Sequence, residues 1–185
     1  MEKLLLEIPT IYREDDSIEF VNEFKNYNEN IIGDDKLSEY TNNYGAWLIK
    51  LFNNCDETKN KVPTKTYFLV REHDNKIIGI VNIRLKLNDK LRETIGNISY
   101  SIRPTERKKG YSKICLYLIL KQCKNDKMEE LLISCNKKNI AFSKTITILE
   151  GIFIKEKKLN DNNYLDFYTI NIDDSIEKYK NIYNI

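Results

Sequence analysis

The sequence is short of the residues on which much recognisable enzyme chemistry rests. It has one histidine, His73, among 185 residues. No second imidazole exists to activate a thiol, and His73 falls in a predicted hairpin turn. A cysteine nucleophile is therefore not expected. The four cysteines, Cys55, Cys115, Cys123 and Cys135, show no CxxC spacing. No metal site is expected from them, and three lie in apolar periodic segments, as buried reduced thiols do. Neither sign of charge is in excess. Thirty basic residues face 28 acidic ones, a net charge of +2. That balance argues against a nucleic-acid binder, which needs a broad basic face. No apolar run approaches the length that crosses a bilayer. The N-terminus MEKLLLEIPTIYREDD has too short an apolar core for a signal peptide. The expectation is a cytoplasmic protein without a membrane partner. Repeats, low-complexity stretches and linkers are also missing, so a single domain over residues 1–185 is expected.

At 41% hydrophobic and 31% charged residues, the composition is that of a folded soluble chain rather than a disordered one. Residues 4–8, LLLEI, read as a short strand. Asp15, Asp16 and Ser17 offer caps for a helix carrying Ile18, Val21 and Phe24. Leu37, Tyr40, Tyr44, Trp47, Leu48, Leu51 and Phe52 predict one face of a second helix behind Asp34 and Asp35. The segment TYFLVREHDNKIIGIVNIRLKL predicts two strands around His73-Asp74-Asn75. NDKLRET is a connector, and GNISYSI is a third strand. Residues 110–124 predict a helix too apolar for the surface. LLISC is a short buried strand. NIAFSKTITILEG predicts a helix closed by Gly151, and GIFIKEK and YLDFYTINI predict two last strands. The tail SIEKYKNIYNI shows no clear period. A meander followed by a β-α-β step gives an α/β (α+β) class, with a mixed, mostly antiparallel sheet of six or seven strands and helices on its faces.

One stretch stands apart. Between Arg103 and Lys113 lie Arg103, Arg107, Lys108, Lys109 and Lys113 against one acid, Glu106. This charge sits where a strand passes into a helix. Free N–H groups and the helix dipole favour an anion there. Gly110 lets a ligand approach the backbone. A phosphate or pyrophosphate is the expected occupant. Neither the Walker loop nor the Rossmann glycine triplet is present.

Arg107-Lys108-Lys109-Gly110-Tyr111-Ser112 resembles the R/Q-x-x-G-x-G/A acyl-CoA signature of the GNAT N-acetyltransferases. Tyr100-Ser101-Ile102-Arg103-Pro104 before it and Asn139-x-x-x-Ser143 after it extend the likeness. The resemblance covers residues 66–155 well and the N-terminal helices more loosely. It implies the acyl-CoA N-acyltransferase fold, in which the strand ending at Ile102 splays from LLISC. It implies a cofactor-binding core over 66–172 and a helical part, 1–62, that shapes an acceptor site. By this resemblance the backbone of Ile102 pairs with the pantetheine arm. The N–H groups of Lys108, Lys109, Gly110, Tyr111 and Ser112 cradle the pyrophosphate beside Arg107, Asn139 bonds the pantetheine, and Ser143 lies near the cofactor. Ser112 stands where the signature has glycine or alanine.

The co-substrate so implied is acetyl-CoA, with no metal, and the reaction is direct acetyl transfer to a primary amine of a small molecule, amino acid or protein. A homodimer is compatible with this reading. Many family members carry a glutamate base and a tyrosine acid at places held here by Asn97 and Thr147. Asn97, Tyr100 and Glu93 are the catalytic candidates. The competing reading is a GNAT-fold acyl-CoA-binding or sensor protein with weak or no catalysis.

Overall fold

A computed structural model describes residues 2–183. Met1 and the last two residues of the tail, Asn184 and Ile185, lie outside the described residues. The order is β1 (Leu4–Glu7), α1 (Glu14–Asn26), α2 (Tyr44–Cys55), β2 (Thr64–Arg71), β3 (Lys76–Arg84), α3 (Asp89–Arg92), β4 (Ile98–Ile102), α4 (Tyr111–Asn125), β5 (Glu130–Asn136), α5 (Ile140–Ile148), β6 (Ile152–Asn160), β7 (Asn163–Asn171) and α6 (Ile172–Tyr183). The seven strands form two sheets, β1-β2-β3-β4 and β5-β7-β6. The pairs β1–β2, β2–β3, β5–β7 and β6–β7 are antiparallel. The expected β-α-β step is present in chain order, but β4 and β5 belong to different sheets rather than to one ladder. The chain divides into two compact units. One comprises the described residues up to Lys86 with Ser99–Tyr111, the other Leu87–Ile98 with the described residues from Ser112 onward.

In the first unit, β2 and β3 form the expected hairpin, rich in β-branched and aromatic residues. Its turn places Asn75 at φ 57°, a left-handed conformation that asparagine tolerates. The register sets Phe68 opposite Ile80 and Val70 opposite Ile77. These four side chains pack with Phe20, Val21 and Phe24 of α1 and with Tyr44, Trp47 and Leu51 of α2 in one buried cluster. Helix α1 begins at Glu14, so Asp15 and Asp16 are first-turn carboxylates that complement the helix dipole rather than caps. Its buried face is Ser17, Phe20, Val21 and Phe24, with Ile18 at the margin. The second helix is shorter than its spacing predicts. Leu37 lies in a separate 3₁₀ turn, Leu37–Glu39, and Asp34 accepts the N–H groups of Lys36 and Ser38 before it. Helix α2 starts afresh at Tyr44, where the Asn43 side chain accepts from Ala46 N. Phe52, placed on the apolar face by spacing, is exposed.

In the second unit, α4 buries Ile114, Cys115, Leu116, Tyr117, Ile119, Leu120 and Cys123, which explains its unusually apolar sequence. The connector before β4 contains the short helix α3, capped by Asn88. Helix α5 ends with Glu150, not Gly151, in the left-handed region at φ 67°. Gly151 instead presses on the preceding turn, where an added Cβ would lie 2.2 Å from Ile146 Cγ2. The tail read as aperiodic is helix α6. Its inward face includes Ser175, whose hydroxyl donates to Leu149 O at 2.9 Å, so a polar residue interrupts the apolar stripe.

Gly96 closes a tight contact in this unit. It bridges Ile133, and Asn97 N donates to Leu132 O at 2.7 Å. Gly96 has φ 74°, and an added Cβ would lie 2.4 Å from Leu132 O. Gly96→Ala should therefore lower unfolding free energy by about 3 kcal/mol, from left-handed strain plus a clash with backbone. Urea unfolding of the variant checks this, and a loss below about 0.5 kcal/mol would show that the contact relaxes freely.

Candidate functional site

The basic stretch leaves β4 as a compact loop. Arg103 N donates to Ile78 O at 2.8 Å, which carries the strand pairing one residue beyond Ile102. Pro104–Glu106 form a single 3₁₀ turn, and Arg107 N donates back to Pro104 O at 3.3 Å. After that the donors run out of acceptors. The N–H groups of Lys108, Lys109, Gly110 and Tyr111 meet no acceptor among the described residues. Lys108 sits at φ 64° and Gly110 at φ 86°. Left-handed residues in such a turn direct successive N–H groups into one concavity, which suits an anion. A Cβ on Gly110 would meet nothing within 4 Å, so the concavity is open on that side. Helix α4 begins at Tyr111 with no acidic residue in its first turn.

The side chains do not behave as their sequence implies. The positive charge, expected to be uncompensated, is partly neutralised, by distant glutamates at Arg103 and Arg107 and by Glu106 within the loop at Lys109. Arg103 is only 2% exposed and pairs with Glu19 at 2.7 Å and Glu23 at 3.2 Å, its guanidinium over the Phe20 ring. Arg107 forms a two-pronged pair with Glu29, at 2.9 and 2.5 Å, and its Nε donates to Ile102 O at 3.1 Å. The hydrogen bond from Arg107 holds the Glu29 carboxyl below its usual range. Lys109 pairs with Glu106 at 2.8 Å. Lys108 and Lys113 keep no ion pair among the described residues. The groups of this loop that meet no partner among the described residues thus include four consecutive backbone N–H groups and the ammonium of Lys108. The arginines do structural work.

Glu106 is central to that work and was not singled out from sequence. Its carboxylate, 4% exposed, receives Arg71 at 2.8 Å, Lys76 at 3.2 Å and Lys109 at 2.8 Å. Burial pushes its pKa up, but the hydrogen bonds from Lys109, Arg71 and Lys76 together outweigh burial and hold it at about 2. The sequence signal was available: Glu106 is the one acid inside the basic run.

Ile102 is half-buried at the end of β4, and its carbonyl already accepts from Arg107. Tyr100 is half-buried on β4. Asn97 is buried, and its side-chain oxygen accepts from Leu132 N at 2.9 Å. Glu93 is exposed and pairs with Lys155 at 2.5 Å and Lys157 at 3.3 Å, which lower its pKa. In the second unit, Ser112 opens the first turn of α4. Asn139 caps α5, accepting from Phe142 N at 3.1 Å, and Ser143 is half-buried one turn later. Thr147 donates to Ser143 O at 3.0 Å. His73 lies exposed in the hairpin turn, 2.9 Å from Glu2.

Cys115, Cys123 and Cys135 are buried thiols outside any disulfide, and Cys55 is an exposed one. Burial drives the Cys115 thiol far up, and burial with the charge of Asp166 raises Cys135 to about 11. Neither is a thiolate at neutral pH. Among the described residues no cluster of histidine, cysteine or acid is arranged to hold a metal, and no helix is long and apolar enough to cross a membrane.

The family profile described as the acetyltransferase (GNAT) family matches residues 18–145, more than half of the chain. No curated protein matches the sequence at a significant level. Solved structures do. RimJ of Mycobacterium smegmatis, in complex with CoA-disulfide, superposes with a TM-score of 0.71 at 9% identity, covering 95% of this chain and 87% of its own. The microcin C7 self-immunity acetyltransferase MccE, with acetyl-CoA and AMP, gives a TM-score of 0.66 at 12% identity, with 92% and 93% covered. The ribosomal-protein-S5-alanine acetyltransferase of Vibrio fischeri gives 0.64 at 13% identity, with 94% and 96% covered. At these identities the likeness is one of fold.

The Glu106 carboxylate stays ionised in the folded chain down to about pH 2, whereas an unfolded glutamate protonates near 4.3. Its contribution to stability is therefore complete above that value and is lost as pH falls through the interval toward 2. Glu106→Gln should be less stable than the parent by about 3 kcal/mol at pH 6, and the gap should narrow steadily at pH 4 and pH 3. Denaturant unfolding at those three pH values measures it. A gap independent of pH would show that the carboxylate charge contributes nothing.

Proposed function

Because the chain belongs to the acetyltransferase (GNAT) family, we propose that it moves an acetyl group from acetyl-CoA directly to a primary amine. The observation that carries this reading is the loop itself: four consecutive backbone N–H groups without acceptors, on a turn whose glycine leaves open space. Those groups fit a pyrophosphate. In the first unit the proposed cofactor contacts are the backbone of Ile102, which would pair with the pantetheine arm, and the loop Arg107, Lys108, Lys109, Gly110 and Tyr111. In the second unit, Ser112, Asn139 and Ser143 are proposed on the strength of the family pattern. The two units are proposed to work as one acetyltransferase domain, in the cytoplasm.

The chemistry asks little of side chains. The amine nitrogen attacks the thioester carbonyl, the C–S bond breaks, and one amine proton ends on the thiol of CoA. Holding both reactants in place supplies much of the rate, and a positioned acid or base adds about 10²- to 10⁴-fold. We assign Asn97 and Glu93 supporting parts, since Leu132 N already takes the carboxamide oxygen and two lysines take the carboxylate. Tyr100, half-buried on β4, is kept as the proton-handling candidate. The raised thiol pKa values support transfer without an acetyl-cysteine. Protein amino groups are the acceptors to test first, because one structural neighbour is named a ribosomal-protein-S5-alanine acetyltransferase.

Thr147 in place of a tyrosine keeps a second reading in view, an acyl-CoA-binding protein without turnover. Both readings expect binding, and an acceptor screen with thiol detection separates them. Gly110→Val tests what they share. Its side chain would fill the open concavity and resist φ 86°, so acetyl-CoA affinity should fall at least about a hundredfold. Thermal shift and titration calorimetry read this out. Wild-type affinity in the variant would put the phosphates elsewhere. Tyr100→Phe should cut kcat by about a hundredfold with KM for acetyl-CoA unchanged. Full turnover in that variant would leave placement alone to account for the rate.

A further inference from the structure

One buried guanidinium touches both ends of the anion-binding loop. Arg71, the last residue of β2, is 9% exposed. Its Nη1 donates to Glu106 Oε2 at 2.8 Å and to Tyr111 Oη at 3.1 Å. Glu106 is the residue before Arg107, and Tyr111 is the first residue of α4. The four residues between them carry the two left-handed conformations and three of the four acceptor-free N–H groups. On its other side Arg71 is held by Asp74, with Nε at 2.9 Å and Nη2 at 2.6 Å from the two carboxylate oxygens. Asp74 lies in the turn of the β2–β3 hairpin, so the anchor for the loop is the turn end of that hairpin.

We propose that Arg71 is a positioning residue for the proposed acetyl-CoA phosphate loop, spanning Glu106 and Tyr111 so that the N–H groups of 108–111 stay converged before ligand arrives. The inference rests on the reading of the loop given above. Arg71 does not act through its charge. Two carboxylates, Asp74 and Glu106, already neutralise it, with Lys76 and Lys109 sharing Glu106. What it supplies is shape. A planar guanidinium can donate in several fixed directions at once, whereas a lysine ammonium is a point charge on a flexible stem. The loop needs that support because Lys108 adopts a left-handed conformation that a residue with a Cβ does not favour. Free Lys108 and Lys109 would relax to other conformations, and the N–H groups would diverge.

The test is Arg71→Lys, which keeps the charge and cannot reach Asp74, Glu106 and Tyr111 together. Three measurements are made on the full chain: CoA affinity by calorimetry, amide hydrogen exchange by mass spectrometry, and denaturant unfolding. The expected result is a CoA Kd raised about tenfold. Amides of residues 108–111 exchange faster, while those of Phe68–Val70 in β2 keep their protection. Tyr111→Phe, which cuts one of the loop contacts and keeps the Asp74–Arg71–Glu106 chain, should show a smaller change in the same direction. It also carries the test if Arg71→Lys does not fold. Combined, the two changes should cost less than their sum, since both act on one geometry. Unchanged CoA affinity in folded Arg71→Lys would overturn the proposal. So would a uniform loss of protection across β2, β3 and the loop, which marks a general structural role. If the wild-type chain does not bind CoA while the loop amides still respond to Arg71→Lys, the reading of the ligand fails and the staple stands.

Discussion

The site depends on a carboxylate buried beside three cations. Taking Glu106 out of water costs several kcal/mol, and only close, well-formed partners offset that. Arg71, Lys76 and Lys109 provide them, at 2.8, 3.2 and 2.8 Å. Each partner comes from a different place: the end of β2, the start of β3 and the loop itself. A carboxylate held so firmly fixes where the loop starts, and the shared guanidinium of Arg71 fixes where it ends. The N–H groups of Lys108 to Tyr111 meet no acceptor among the described residues, and the role proposed for Arg71 is to keep them in place. An anion site built from main-chain N–H groups has to satisfy both conditions.

The same arrangement changes the meaning of a basic cluster. Five basic residues in a short span look like a binding surface. Here Arg103 and Arg107 face glutamates of α1 and of the turn that follows it, and Lys109 faces Glu106. Arginine suits these places because its fork matches a carboxylate and its plane stacks on Phe20 and Phe24. In the proposed site the ligand charge would be met chiefly by amides, which cost no side-chain ordering when they engage. Charge counted along a chain and charge presented by a surface differ whenever ion pairs join distant residues.

The catalytic candidates follow a similar logic. Asn97 occupies a place where a base would be sought, yet its side-chain oxygen accepts from Leu132 N. Glu93 carries the nearest carboxylate in sequence and meets two lysines of β6 instead. Asn97, a carboxamide, cannot act as a base, and Glu93, a carboxylate that could, is held in ion pairs that residue type does not reveal. Their hydrogen-bond partners lie about 35 or more positions away.

The sequence by itself determined the elements whose signals are local. The hairpin around His73-Asp74-Asn75, the apolar helix α4, the glycine at the mouth of the loop and the expectation of an anion there all follow from patterns a few residues long. The family resemblance of residues 107–112 is likewise a local pattern. Tertiary structure decided everything that depends on pairing across the chain. It broke the second helix at Asn43, turned an irregular tail into α6 around a buried serine, and divided the strands between two sheets. It also separated the basic residues that anchor the loop from the backbone groups available to a ligand. The physical reason is the same in each case. Helix periods, turns and glycine conformations are set by neighbours in sequence, whereas burial and ion pairing are set by residues that only folding brings within 3 Å.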